Sequence, residues 1–111
     1  MANPQILDIL RSEGMYFSIF EMEAGDIEEI LDIETQSFSS PWTKAMFRQE
    51  LDLEWSKIFL TKKSIGRLKE IVGYICFWLI IDEVHTLTLA THPDCRRHGI
   101  ATSLLNSIRN I

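Results

Sequence analysis

At 111 residues the chain accommodates one domain with its own core, and 46% hydrophobic residues exclude intrinsic disorder. A net charge of −5 argues against nucleic acid or an anionic membrane as partner, so a local basic cluster stands out against the background. Two cysteines are too few for a disulfide scaffold. Cys76, inside an apolar run, reads as buried, and Cys95, in a polar loop, as partly exposed; both read as free thiols of a cytoplasmic protein. The start of the chain lacks a basic n-region and an apolar h-region, so no secretory signal is expected. The longest apolar run, Ile71 to Ile81, is strand-length, which predicts no membrane span.

In chain order, residues 1–14 read as a short helical or loose lead-in and 15–111 as the domain. Tyr16 to Met22 alternates and predicts a strand buried on both faces. Asp26, three residues before Glu29, is an N-cap with a capping-box partner. The helix it opens carries Ile27, Ile30, Leu31, Glu34 and Phe38 at helical spacing. Ser39-Ser40-Pro41-Trp42 ends that helix, and Thr43 caps a second through about Leu51, with Met46, Phe47 and Leu51 inward. Ser56 to Thr61 is a further strand, Lys62 to Glu70 a basic hairpin connection, and Ile71 to Ile80 a long strand. Asp82-Glu83 makes a tight turn into a strand over Val84 to Ala90. A loop from Pro93 then leads through Gly99 to a helix with Ile100, Leu104, Leu105, Ile108 and Ile111 on one stripe. Strand, two helices, three strands and a helix make an α+β pattern.

The most specific stretch runs from Leu87 to Thr102. A strand feeds a basic loop, and the loop enters a helix through Gly99, the geometry in which backbone N–H groups and a helix dipole gather around a phosphate. Gly99 and small Ala101 admit a ligand close to the backbone, and Arg96 and Arg97 add charge in an otherwise acidic chain. The alternative is a solvated basic turn before a surface helix.

Arg96-x-x-Gly99-x-Ala101 resembles the Q/R-x-x-G-x-G/A motif by which GNAT acetyltransferases hold the pyrophosphate of acetyl-CoA. Ser37-Phe-Ser-Ser-Pro-Trp-Thr-Lys-Ala-Met-Phe47 is similar to the F-x-x-P-W-(S/T)-x-x-x-F segment of ribosomal-protein-alanine N-acetyltransferases. The resemblance covers roughly Tyr16 to Ile111. Cys95 stands where an aromatic is usual, Thr91 where a valine is, and Ala101 replaces the second glycine. The resemblance implies a GNAT fold, a mixed and mostly antiparallel sheet with flanking helices, here lacking its C-terminal part. It implies acetyl-CoA as cosubstrate, no metal, and a protein or peptide N-terminus as acceptor. The cofactor would be held by Leu89, Ala90 and Thr91 at a bulged strand, and by Arg96, Arg97, His98, Gly99, Ile100, Ala101 and Thr102. The family's glutamate base and tyrosine acid fall beyond Ile111, which leaves little or no turnover as the expectation for the isolated chain.

Other residues carry weaker readings. Glu83 and His85 are the titratable candidates for catalysis, and period-two geometry puts them on one face with Leu87 and Leu89. The alternative is a turn charge and a packed imidazole. Trp42 and Phe47 resemble substrate-side positions, or are buried aromatics; Trp55 and Trp78 read as core. Lys62, Lys63, Arg67 and Lys69 read as a solvated hairpin tip. His92-x-x-Cys95-x-x-His98 offers three metal-ligand types where a closed zinc site takes four, so no metal is expected. Val84 to Ala90, left as a sheet edge, predicts a homodimer. Two rival functions stand beside acetyl transfer: a non-catalytic acyl-CoA-binding or interaction module, and a small phosphate-binding regulatory domain.

Overall fold

Residues 5–12 and 15–109 are described in the computed structural model. Strands β1 (Ile6–Ser12) and β2 (Met15–Glu21) precede helices α1 (Ile27–Ser37) and α2 (Lys44–Leu51). Strands β3 (Ser56–Ile65), β4 (Leu68–Ile80) and β5 (Glu83–Thr91) follow, and helix α3 (Ile100–Ile108) closes the order. The sheet order is β1-β2-β3-β4-β5 and every neighbouring pair is antiparallel.

The long apolar run of β4 is explained by burial on both of its faces. Tyr74 and Cys76 point to one side, into a core with Ile27, Ile30 and Ile33 of α1 and Phe47 of α2. Ile75 and Phe77 point to the other, against Phe17 and Ile19 of β2 and Ile100, Leu104 and Ile108 of α3. The result is three layers: α1 and α2, the sheet, and α3. Thr43 caps α2 as expected, its Oγ1 accepting from the Met46 N–H at 3.3 Å.

Several expectations are corrected. The lead-in is no helix: Ile6–Ser12 is a strand paired with β2. Ile6, Ile9 and Leu10 satisfy helical spacing, but pairing with β2 overrides that local pattern. Residues 1–4 and 13–14 of the lead-in lie outside the described residues. Asp26 does not cap with Glu29. Its carboxylate accepts from the Glu23 N–H at 2.9 Å, across a short 3-10 turn. Glu29 instead accepts from the Ile71 N–H at 3.1 Å. That amide sits beside an irregularity where Val72 is left over between the pairs Thr61↔Gly73 and Lys62↔Ile71.

The basic connection is shorter than expected, because β3 and β4 continue to a two-residue turn at Gly66-Arg67, with Gly66 at φ +58°. The next turn falls on Ile81-Asp82, at φ +44° and +63°, rather than on Asp82-Glu83. Met46, Trp55 and Leu105 are exposed, and Trp78 is half-buried with its Nε1–H donating to Glu50 at 3.1 Å. Cys95 is buried, not partly exposed, because it packs with Phe17 and Ile100 beneath its loop. Both cysteines are free. Ile111 lies outside the described residues. No helix among the described residues is long and apolar enough to cross a membrane.

Candidate active site

An open cavity of about 470 Å³ lies where β5 ends. One wall is the strand end Leu89, Ala90 and Thr91; the second is the loop with Cys95, Arg96, Arg97 and Gly99, continued by Ile100, Ala101 and Thr102 of α3. Ser37 and Phe38, at the end of α1, complete it.

The loop is held from below. The His92 N–H donates to the Val72 carbonyl at 2.7 Å, so the irregularity in β4 supplies the anchor. Pro93 opens a 3-10 turn in which the Cys95 N–H reaches the His92 carbonyl at 2.9 Å. The buried Cys95 side chain fixes the turn to the core beneath α3. Gly73 completes the support: a Cβ there would meet Ile100 Cγ2 at 2.8 Å, so only glycine lets the start of α3 settle on the sheet.

Gly99 caps α3 at φ +77°, and a Cβ at this position would meet nothing within 4 Å. Arg97 is also left-handed, at φ +71°. The Ser103 N–H bonds the Gly99 carbonyl at 2.9 Å. Ahead of it, the amides of Ile100, Ala101 and Thr102 have no backbone acceptor among the described residues. They face the end of a helix dipole beside Arg96 and Arg97, which form no ion pair among the described residues. Arg96 Nε–H points back to the Thr91 carbonyl at 3.4 Å. This is a concave, positively polarised surface suited to a diphosphate.

β5 carries a bulge. Cys76 pairs with Thr88 but Phe77 with Thr86, which leaves Leu87 as the extra residue. The bulge breaks the shared face expected for Leu87 and Leu89: Leu87 packs toward α1 and Leu89 toward α3. Glu83 and His85 sit on the far side of the bulge, exposed and in contact with each other at 3.1 Å. From His85 to Leu89 is roughly 10–15 Å of strand. Neither lines the cavity.

The predicted cofactor residues thus converge on one cavity, except His98, whose ring packs against Phe17 at 5.9 Å between centroids. Trp42 and Phe47 do not line it. Phe47 is fully buried and Trp42 packs on it at 5.1 Å. The motif containing them contributes instead through its first two residues, Ser37 and Phe38. Among the described residues no cluster of three His, Cys, Asp or Glu side chains is placed to hold a metal; His92 Nδ1 accepts from the Asp94 N–H.

Sequence reasoning placed Glu34 on the stripe of α1 but gave it no role. It stands on the inner face of α1, 1% exposed, a buried carboxylate without a cation among the described residues. One oxygen accepts from Tyr74 Oη–H and from Thr88 Oγ1–H, the latter at 3.1 Å. The other accepts from the Trp42 N–H at 2.8 Å. Burial and the bond to Glu34 both push the Tyr74 hydroxyl well above the usual phenol range. Burial likewise pushes the Cys76 thiol up to about 12 and raises that of Cys95.

Residues 27–111 match the Acetyltransferase (GNAT) family. The chain is 30% identical over 90 residues to a putative [ribosomal protein bS18]-alanine N-acetyltransferase of Bacillus subtilis, covering 81% of this chain and 58% of that protein. It is 26% identical over 92 residues to an N-acetyltransferase of Methanocaldococcus jannaschii, covering 83% and 56%. The chain thus spans somewhat over half the length of the curated relatives it matches. Its fold is like that of the ribosomal-protein-S18-alanine N-acetyltransferase of Escherichia coli, with TM-score 0.71 at 20% identity over 85% of this chain and 57% of the other. Arabidopsis thaliana NAA60, solved with a bisubstrate analogue, gives TM-score 0.70 at 18% identity over 85% and 66%. With the bulged strand, the glycine-capped helix and the family match in agreement, the chain belongs to the GNAT acetyltransferase family.

Proposed function

We propose that the cavity holds acetyl-CoA and that the protein transfers the acetyl group to the α-amine of a protein N-terminus in the cytoplasm, as the names of its relatives suggest. The observation that supports the reading is the start of α3. Gly99 is left-handed, the amides of Ile100, Ala101 and Thr102 have no backbone acceptor among the described residues, and Arg96 and Arg97 line the same cavity. The residues fit the cosubstrate: the amides and Arg96 and Arg97 would take the pyrophosphate, and the strand end Leu89 to Thr91 would run beside pantetheine. Glu83 and His85 lie outside the cavity and take no part in this step. Self-association through the β5 edge belongs to the same reading.

The test uses a pair of substitutions that both tolerate a left-handed backbone. Gly99→Asn and Gly99→Asp are similar in size and both cap helices, so both should fold. Only Asp places an anion against the pyrophosphate, and it should weaken CoA binding by roughly 10–100-fold relative to Asn. Equal CoA affinity in the two variants, measured by calorimetry, would contradict the site. Robust acetyl transfer to an alanine-initiated peptide would exclude the non-catalytic acyl-CoA module and overturn the expectation of little or no turnover. Binding of inorganic phosphate but not of CoA would favour the regulatory domain.

A further inference from the structure

Glu34 presents a problem of cost. The surrounding face of α1 is Ile27, Ile30 and Ile33, and an apolar side chain at this position would pack there without the desolvation penalty of a buried carboxylate. Every bond the carboxylate makes leads to a different part of the fold. Trp42 N–H belongs to the connection between α1 and α2, Thr88 follows the bulge of β5, and Tyr74 lies on β4. The contact is closed a second way by aromatic rings: Trp42 packs on Phe47 at 5.1 Å, and Phe47 meets the edge of Tyr74 at 6.0 Å. The two regions joined here, the end of α1 and the end of β5, both line the cavity. Ser37 and Phe38 lie one turn beyond Glu34, and Leu89 and Ala90 directly follow Thr88.

We propose that Glu34 is a positioning residue that clamps the α1–α2 connection to the bulged segment of β5 and so sets the aim of the Leu89–Thr91 backbone into the cavity. A bulge leaves its extra residue outside the ladder and bends the strand locally, so the direction in which the strand leaves it depends on side-chain contacts as well as on pairing. The hydroxyl of Thr88 fixes its position relative to α1, and the Trp42 amide fixes the connection relative to the same carboxylate. The consequence for a ligand rests on the acetyl-CoA reading, while the clamp itself does not.

The experiment compares Thr88→Val, which deletes the hydroxyl at constant shape, with Thr88→Ser, which keeps it, and with Glu34→Gln. In amide spectra of the full chain, the wild-type Trp42 N–H should be strongly protected from exchange. Thr88→Val should speed that exchange about 10-fold or more and shift the Ser37 and Phe38 amides across the gap, with Thr88→Ser close to wild type. The amides of Ile100 to Thr102 should not move. Glu34→Gln, where it folds, should do the same more strongly. A Trp42 amide equally protected in Thr88→Val, or shifts that stop within β5, would overturn the clamp.

A second readout uses acetyl-CoA labelled at the carbonyl carbon. Thr88→Val should bind it within about twofold of wild type, because the phosphate end is untouched, yet return the bound carbonyl signal about halfway or more to its free position. An unchanged carbonyl signal at unchanged affinity would overturn the positioning role. If wild type binds no CoA, the acetyl-CoA reading fails and the exchange data alone decide the clamp.

Discussion

Replacing Gly73 by alanine tests how α3 is seated on the sheet. The new Cβ would lie 2.8 Å from Ile100 Cγ2, 3.3 Å from the Ala90 carbonyl oxygen and 3.7 Å from Thr91 Oγ1. Carbon pairs rest at about 3.5–4.0 Å, so something must give by roughly 0.7–1.2 Å. Neither neighbour yields easily: Ile100 is β-branched and 2% exposed, and the Ala90 carbonyl belongs to a strand paired with β4. Overpacking of this kind costs about 1–3 kcal/mol. Alanine in a strand would otherwise gain about 0.5–1 kcal/mol over glycine, so the net expected loss is about 1–2 kcal/mol. Urea denaturation of Gly73→Ala, Ile100→Ala and the double variant measures it. The double variant lacks the opposing methyl, so the two changes should couple by about 0.5 kcal/mol or more. A stabilised Gly73→Ala, or a cycle additive within about 0.3 kcal/mol, would refute the close approach.

Three further outcomes are expected. Ile81 is β-branched, 90% exposed and left-handed in a two-residue turn, so Ile81→Asn should stabilise by about 1 kcal/mol, and an unchanged or lower melting temperature would contradict this. Cys76 ionises near 8.5 in the unfolded chain and only at about 12 in the fold. The native state therefore keeps its proton: this contribution is full below about pH 8.5 and is lost as pH rises toward 12. The stability difference between wild type and Cys76→Ala should shrink from pH 8 to pH 11, and a constant difference would count against it. Val84 to Ala90 forms the end strand of the sheet among the described residues, and light scattering on a dilution series should reveal a dimer or larger species. A monomer at every concentration would show that the bulge at Leu87 is enough to protect the edge.

What could be read from sequence was what is local. The strand–loop–helix stretch around Gly99 is contiguous, and its glycine, arginines and following apolar stripe state their geometry without distant partners. β2 and β4 were legible because burial on both faces leaves an apolar run that no amphipathic helix would show. β1 was not, because Ile6, Ile9 and Leu10 fit a helix until β2 is there to pair with them. The bulge at Leu87 has no glycine or proline to mark it, and it moved Leu89 to the other face from Leu87. Glu34 counted only as one position on a helical stripe. Its partners Tyr74 and Thr88 are 40 and 54 residues away, so its burial is purely a tertiary fact.

On the proposed reading, a CoA diphosphate would rest on the first turn of α3. Titrating CoA into isotope-labelled protein and following backbone amides tests it most directly. Saturable shifts are expected at Gly99, Ile100, Ala101 and Thr102, smaller ones at Leu89 to Thr91, and silence at Glu83, His85 and the Gly66 turn. Absence of any shift, or shifts centred on the basic hairpin around Lys63 and Lys69, would contradict it.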